Sequence, residues 1–182
     1  MYLSLCDYQY KYGGDIDSIT FKCKEPIHTQ GTARCIFHDT NYLEGNSYEK
    51  NKEEVADRFK QKLSEHRSKN MPLEFVGYCL PEISFENDEF AQPIYFIAAT
   101  FHGDANFKRT TLSSLANFYN VNFTKKADFS DSIFSGVAFF MKSIFSGVAD
   151  FSFAQFSQES RLWRSYVLPR SIFPRKSSIN HP

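Results

Sequence analysis

The 182-residue sequence lacks the features that place a chain in a membrane or outside the cell. Its start, MYLSLCDYQY, has neither the basic residues nor the apolar core of a secretory signal peptide. Its longest apolar runs, such as YFIAATF, are far shorter than the roughly 20 residues of a membrane-spanning helix. We therefore expect a cytoplasmic protein with no membrane partner.

An excess of charge of one sign is also missing. Lys and Arg number 21, and Asp and Glu also number 21, so the whole chain has no electrostatic preference for nucleic acid. The distribution is uneven, because residues 160–182 carry five basic and no acidic side chains. If the chain bound nucleic acid directly, these tail residues would have to contact it: Arg161, Arg164, Arg170, Arg175 and Lys176.

The common catalytic motifs are absent as well. Gly13 and Gly14 lack the spacing of a phosphate-binding loop, and the sequence contains neither a nucleophile elbow nor an HExxH motif. The acidic pair Glu86 and Glu89 could act as general acid and base only in a cleft, which the sequence does not predict. We therefore predict that the protein is not an enzyme.

Aromatic residues are abundant, with 20 Phe and 10 Tyr, and most of the Phe residues follow an 11-residue period. The third position is Phe in every unit, and the eighth is Phe except at Leu112. The first position is Ile or Ala, and the sixth is mostly small. The seven units are ISFENDEFAQP (83–93), IYFIAATFHGD (94–104), ANFKRTTLSSL (105–115), ANFYNVNFTKK (116–126), ADFSDSIFSGV (127–137), AFFMKSIFSGV (138–148) and ADFSFAQFSQE (149–159).

This pattern fits short strands and excludes a helix. On a helix, positions 1, 3, 6 and 8 would surround the axis, whereas an amphipathic helix needs one apolar stripe. On strands, positions 1 and 3 share one face, and so do positions 6 and 8. Ser, Gly, Asn, Asp and Lys lie between them and favour turns. Each unit therefore predicts two very short strands, each followed by a corner.

A small inward residue, an inward Phe and a corner resemble the motif of pentapeptide-repeat proteins, most closely in ANFYNVNF, ADFSDSIF and ADFSFAQF. The resemblance covers residues 83–159 and implies a mainly β fold, a right-handed quadrilateral β-helix with 22 residues per coil and about three and a half coils. It predicts that residues 22 apart stack at roughly 4.8 Å. The predicted stacks are Phe107, Phe129 and Phe151; Phe96, Phe118 and Phe140; and Phe101, Phe123 and Phe145.

The remaining sequence divides into three further segments. Residues 1–45 form a metal-binding segment, and residues 46–82 contain an amphipathic helix followed by a strand that leads into the first coil. In this helix Val55, Phe59 and Leu63 share one face. Residues 160–182 contain a C-terminal cap, RLWRSYVLP, and a basic tail for which we predict disorder. We expect the helix or the strand to cover the open N-terminal end of the coils.

The first segment contains Cys6, Cys23, Cys35 and His38, spaced as C-x16-C-x11-C-x2-H. About 40 residues with so few apolar side chains need a cross-link such as a bound metal to fold stably, and zinc takes four sulfur or nitrogen ligands tetrahedrally. We therefore predict one structural zinc ion per chain at these four residues. Asp39 is the candidate to orient the His38 ring.

Alternatives to this ligand set remain open. The three cysteines could be unrelated buried thiols and His38 a surface residue, or His28 could replace His38 as the ligand. Cys79, in the apolar VGYCL, is predicted to be a core thiol. We expect the remaining histidines to be exposed to solvent: His66, His102 and His181.

The order C…C…C-x2-H also resembles the Cys3His knuckles of plant growth-regulating factors. The first gap is longer here, and the basic residues of those DNA-binding knuckles are missing, so the resemblance does not extend to DNA binding. Some pentapeptide-repeat proteins mimic duplex DNA and block a topoisomerase, but residues 83–159 carry only eight acidic against five basic side chains. The sequence favours a non-enzymatic scaffold that binds an unidentified protein. A homodimer and a nucleic-acid-related role remain open.

Overall fold

A computed structural model describes residues 4–13, 19–28, 33–156 and 166–167 of the chain. An N-terminal hairpin consists of β1 (Gln9–Tyr12) and β2 (Ile19–Lys22), which pair antiparallel. A 3₁₀ helix (Thr40–Leu43) and one long helix, α1 (Ser47–Ser68), follow. Seventeen two-residue strands come after the helix.

These strands in chain order are β3 (Leu73–Glu74), β4 (Cys79–Leu80), β5 (Ile83–Ser84), β6 (Glu89–Phe90), β7 (Ile94–Tyr95), β8 (Thr100–Phe101), β9 (Ala105–Asn106), β10 (Thr111–Leu112), β11 (Ala116–Asn117), β12 (Asn122–Phe123), β13 (Ala127–Asp128), β14 (Ile133–Phe134), β15 (Ala138–Phe139), β16 (Ile144–Phe145), β17 (Ala149–Asp150), β18 (Gln155–Phe156) and β19 (Tyr166–Val167).

The short strands form four parallel sheets, which are the four faces of a β-solenoid. Face 1 contains β3, β7, β11 and β15, and face 2 contains β4, β8, β12, β16 and β19. Face 3 contains β5, β9, β13 and β17, and face 4 contains β6, β10, β14 and β18. The solenoid has about four coils of about 22 residues each. The predicted mainly β, four-sided solenoid with this coil length is therefore confirmed.

Stacked phenylalanine rings fill the interior, as the repeat predicts. The rings of Phe107 and Phe129 lie 4.8 Å apart and nearly parallel, and so do those of Phe129 and Phe151. The other predicted stacks also form, with ring distances of 5.6 Å (Phe96–Phe118), 4.7 Å (Phe118–Phe140), 5.1 Å (Phe101–Phe123) and 4.8 Å (Phe123–Phe145). Small first-position residues such as Ala116 are buried between these stacks and leave room for the rings.

Two local devices turn the chain at the corner after the third position. The residue at position 5 adopts a left-handed backbone, with φ between 53° and 61°, in Asn87, Ala98, Arg109, Asn120, Asp131, Lys142 and Phe153. Where position 2 is Ser, Asn or Asp, its side chain accepts a hydrogen bond from the N–H of position 4. Examples are Asn117 with Tyr119 and Asp128 with Ser130, both at 2.9 Å. This bond explains why Asn and Asp recur at position 2.

The coils begin at Leu73, ten residues before the first predicted unit. The segment 73–82 makes a shorter unit in which Phe75, Tyr78 and Leu80 are buried. Gly77 occupies the left-handed corner with φ 71°. At the other end, Val167 pairs with Phe145 in the same 22-residue register. The rest of the predicted C-terminal cap and the tail, including His181, lies outside the described residues.

Helix α1 covers the N-terminal end of the solenoid. The buried ring of Phe59 packs at 4.8 Å from Phe75 and 6.0 Å from Phe85. Near the C-terminal end of the helix, Arg67 lies over the ring of Phe90 at 4.5 Å and forms an ion pair with Asp88 at 2.8 Å. The helix therefore shields the first layer of rings from water.

Two histidines differ from their predicted exposure. His66 is buried on the helix face, and its Nδ1 lies 2.9 Å from the carbonyl oxygen of Pro72. His102 is half-buried, and burial lowers its pKa. Both expectations of solvent exposure were wrong, because His66 and His102 pack against neighbouring parts of the structure. Among the described residues, no helix is long and apolar enough to cross a membrane.

Candidate metal centre

The hairpin brings Cys6 and Cys23 together. Cys6 precedes β1 and Cys23 follows β2 directly, so antiparallel pairing places both at the open end of the hairpin. Pairing continues past the strands, because the N–H of Cys6 donates to Glu25 at 2.8 Å and the N–H of Cys23 donates to Tyr8 at 3.0 Å. Two cysteines that are 17 positions apart in the sequence therefore become neighbours.

A tight turn supplies the other pair. The N–H of His38 donates to the carbonyl of Cys35 at 3.0 Å, and the N–H of Asp39 donates to the same carbonyl at 3.1 Å. This turn places the Cys35 sulfur 3.1 Å from His38 Nδ1. The two-residue gap in C-x2-H is thus long enough for both side chains to point to one side.

The four predicted side chains form one compact, buried group. The sulfurs of Cys23 and Cys35 are 3.8 Å apart, and the Cys6 sulfur is 3.6 Å from His38 Nδ1. All four candidate ligand atoms lie within 4.8 Å of one another. In a zinc tetrahedron with bonds of about 2.3 Å to sulfur, two sulfurs are about 3.8 Å apart. The group could therefore hold a metal ion, and its size fits zinc.

Backbone N–H groups point at the sulfurs. The N–H of Glu25 donates to the Cys23 sulfur at 3.4 Å. The backbone N–H groups of Cys35 and Tyr8 likewise lower the pKa of Cys6, and that of Phe37 lowers the pKa of Cys35. Hydrogen bonds of this kind stabilise the thiolate, which is the form that binds a metal.

The Cys23 and Cys35 thiols are hydrogen-bonded to each other, and this contact lowers the pKa of Cys23. The pKa of Cys35 is raised for the same reason, and burial raises it further. A bound metal would have to displace the thiol protons that remain, so its affinity falls as the pH falls.

A backbone carbonyl, and not Asp39, orients the His38 ring. His38 Nε2 lies 2.9 Å from the carbonyl oxygen of Val76, and this partner leaves Nδ1 facing the three sulfurs. Asp39 Oδ2 instead lies 3.2 Å from Nε2 of His28, and Oδ1 accepts from the N–H of Asn41. The proposed role of Asp39 was therefore wrong, and His28 lies outside the group. Sequence reasoning missed Val76 because a carbonyl partner leaves no trace in the residue types.

Two rings enclose the imidazole. Tyr8 stacks on His38 with the ring centroids 3.9 Å apart, and Tyr78 meets it edge-on at 5.2 Å. Cys79 lies outside the ligand group, in the hydrophobic core as expected, and burial raises its pKa to about 12. None of the four cysteines, all within the described ranges, forms a disulfide.

The four candidate ligands come from two parts of the structure. Cys6 and Cys23 belong to the hairpin, whereas Cys35 and His38 belong to a turn fixed to the solenoid. The N–H of Cys79 donates to the carbonyl of Phe37 at 2.7 Å, and the ring of Phe37 stacks on Tyr78 at 4.4 Å. A metal in this group would join the hairpin to the body of the protein.

Comparison with known families supports the repeat assignment. Residues 85–133 match the family described as pentapeptide repeats (9 copies). No curated protein and no solved structure matches the chain significantly. The predicted resemblance to pentapeptide-repeat proteins is therefore confirmed for this part of the chain.

Proposed function

We propose that this protein is a non-enzymatic pentapeptide-repeat scaffold, with a structural zinc ion in its N-terminal segment and a protein-binding surface on the side of its solenoid. The observation that carries the metal assignment is the buried group of Cys6, Cys23, Cys35 and His38. Pentapeptide-repeat solenoids are generally structural or scaffold proteins, which supports a binding role over catalysis.

Zinc suits this group better than other biological metals. Three thiolates and one imidazole are soft ligands, and a compact tetrahedral set of them is typical of structural zinc sites. Such a set fills the coordination sphere, whereas catalytic zinc keeps an open position for water. The thiols also need a reducing compartment to stay available, which is consistent with a cytoplasmic protein.

The outward residues of face 1 support a binding surface there. On face 3, the outward second positions of the units are Ser84, Asn106, Asp128 and Asp150. On face 1, Tyr95 and Phe139 take this position in two of the four coils. Further apolar residues lie beside Phe139 on the last two coils, all of them half-buried: Leu115, Val137, Tyr119 and Met141.

Phe139 breaks the local rule of the fold. An Asn or Asp at its position would accept the N–H of position 4, as Asn117 does one coil earlier. The aromatic ring gives up this hydrogen bond and keeps an apolar side chain in contact with water. Local departures from the folding pattern are most common at functional sites, so we assign the strip of Leu115, Val137, Phe139 and Met141 to partner binding.

A nucleic-acid-related role has less support. The repeat residues 83–159 carry a small acidic excess, with eight acidic and five basic side chains, which is far from the dense charge of a DNA duplex. The basic residue Lys126 is in turn paired with Asp128 at 2.8 Å. A salt titration of any nucleic-acid binding would show a steep slope if the basic tail carried the function.

Metal analysis tests the zinc assignment. Protein purified without chelator is expected to contain about one zinc per chain, and Cys35→Ser is expected to abolish zinc binding. The matched control is Cys79→Ser, because this thiol is buried outside the ligand group. A wild-type zinc content below about a tenth of one ion per chain would refute the assignment.

The binding surface is tested with a variant that suits the fold. Phe139→Asn introduces the hydrogen-bonding residue of the neighbouring coil and removes the half-buried ring. A partner captured from the native host, purified and titrated with the wild type, is expected to bind Phe139→Asn at least about tenfold more weakly. Asp150→Asn on face 3 is the control and should bind normally. Equal affinity of all three proteins would exclude the face 1 strip.

A further inference from the structure

Part of face 1 is covered by the N-terminal hairpin. Val76 and Ile97 occupy the fourth position in the first two coils, and their exposed fractions are only 2% and 0%. Neither belongs to the continuous core formed with the phenylalanine interior. In the next two coils the same position holds Tyr119 and Met141, which are half-buried. Burial of this column therefore changes halfway along the face.

Two side chains of the hairpin segment, Tyr8 and Tyr10, lie beside this column. The Tyr8 side chain lies over Gly77, where an added Cβ would be 2.0 Å from the Tyr8 hydroxyl. Tyr10 reaches further, because its hydroxyl lies 3.2 Å from Nδ2 of Asn120 in the third coil. The hairpin thus lies across the first two coils of face 1 and ends where the half-buried residues begin.

Few contacts besides the metal group hold the hairpin in this position. The rings of Tyr8 and Phe21 pack against the core, and Asp7 forms a backbone hydrogen bond with Ala33 at 2.8 Å and an ion pair with Arg34 at 3.0 Å. The strand residues of the hairpin are exposed or half-buried, and Ile19 is 57% exposed. A two-stranded hairpin is marginally stable by itself in water. An ion pair between Glu25 and Lys62 at 2.5 Å also links it to helix α1, but such a partly exposed pair contributes little to stability. Its strongest connection to the body is the Cys3His group.

We infer that metal binding at Cys6, Cys23, Cys35 and His38 holds the hairpin on face 1, and that loss of the metal uncovers Val76 and Ile97. This inference rests on the proposed metal site and deepens the proposed function. With the hairpin released, the exposed column runs from Val76 through Ile97 and Tyr119 to Met141. The apolar surface of face 1 would then extend over all four coils, so the metal content sets how much of it is exposed to solvent.

Hydroxyl-radical footprinting of the full chain tests this inference. Zinc-loaded protein is compared with the same protein after chelation, and oxidation is read at single residues by mass spectrometry. Oxidation of Ile97 and Tyr10 is expected to rise at least about tenfold after chelation, because the hairpin opens locally. Phe118, which is fully buried, and Ile144, which is 44% exposed on face 2, are the internal controls and should not change.

Two variants separate the metal from the hairpin contact. Cys6→Ser in zinc-containing buffer should reproduce the oxidation pattern of the chelated wild type. Asn120→Ala removes the contact with Tyr10 and leaves the ligands in place, so zinc content should be normal and Ile97 oxidation should rise by less than about threefold.

The outcomes distinguish this inference from the metal assignment. If zinc is bound but chelation leaves Ile97 protected, the hairpin does not depend on the metal and only this inference is overturned. If the purified protein contains no zinc, both the assignment and the inference are overturned. A joint rise at Ile97 and Phe118 would mean that the metal supports the whole solenoid, which also contradicts a local release of the hairpin.

Discussion

The solenoid and the N-terminal segment are stabilised in different ways. The solenoid repeats one layer of contacts, so each Phe ring, such as Phe118, packs on equivalent rings above and below. The N-terminal segment has no repeat, and the exposure of Leu5 (58%) and Ile19 (57%) shows how few apolar contacts it makes. The first region is stabilised by periodic burial, whereas in our proposal the second depends on a metal held by four side chains that meet at one point.

Loss of the metal should have the largest effect and should be confined to one region. Cys23→Ser removes a ligand, and structural zinc contributes on the order of 10 kcal/mol to the folding of the segment that it binds. We expect near-complete loss of hairpin structure, while the thermal transition of the solenoid moves by less than about 5 °C. Calorimetry and circular dichroism can measure both. A single cooperative loss of all structure would contradict the separation of the two regions.

A cavity in the phenylalanine interior should destabilise the solenoid instead of the hairpin. Phe118→Ala removes a fully buried ring, and such changes cost about 3–5 kcal/mol of unfolding free energy. Because the rings stack through the coils, the whole solenoid should lose stability in chemical denaturation. Phe139→Ala, on the outside of face 1, is the matched control and should cost under about 1 kcal/mol. Similar costs for both variants would show that ring stacking is not the main source of stability.

Removal of an inward hydroxyl group should have a smaller effect on stability. Thr110 is fully buried, and its Oγ1 donates to the carbonyl of Phe85 at 2.8 Å. Thr110→Val keeps the shape and removes the donor, which should cost about 1–2 kcal/mol in denaturant unfolding. Thr111→Val, at the outward neighbour, serves as the control. A neutral Thr110→Val would indicate that the carbonyl finds another partner.

The smallest predicted effect depends on pH. Burial of Asp128 would raise its pKa, but hydrogen bonds from Lys126 and Ser130 outweigh it and lower the pKa below the model-peptide value of 3.8. A depressed folded-state pKa contributes stability above pH 3.8, and this contribution is lost as the pH falls through the folded-state pKa. Asp128→Asn keeps the oxygen that caps the corner. In denaturant unfolding, the variant should therefore be slightly less stable than the wild type at pH 7, and the difference should shrink as the pH falls below 3.8.

Most of the solenoid could be predicted because the same 11-residue pattern occurs seven times in the sequence. Phe at position 3 and Phe or Leu at position 8 determine the stacks without knowledge of any other segment. The first unit was missed because it has ten residues and the large side chain of Tyr78 at the inward sixth position. The left-handed corners were also missed, since position 5 holds residues as different as Ala98 and Phe153.

The ligand group was predictable in its members but not in its surroundings. Cysteine and histidine are rare enough that Cys6, Cys23, Cys35 and His38 could be singled out from residue type and the C-x2-H spacing. The partner of the His38 ring is a carbonyl at Val76, which depends on how the turn meets the first coil. The position of the hairpin on face 1 likewise depends on three-dimensional contacts between residues as distant as Tyr10 and Asn120.

Amide hydrogen exchange with and without chelator tests the contrast between the two regions most directly. The account predicts that chelation accelerates exchange in β1 and β2 by at least about tenfold, while amides of the stacked strands from β7 to β16 keep their protection. The solenoid ladder should not respond, because its hydrogen bonds run between coils and involve no metal ligand. Equal acceleration in both regions, or unchanged exchange in β1 and β2 of a protein shown to have bound and lost zinc, would contradict it.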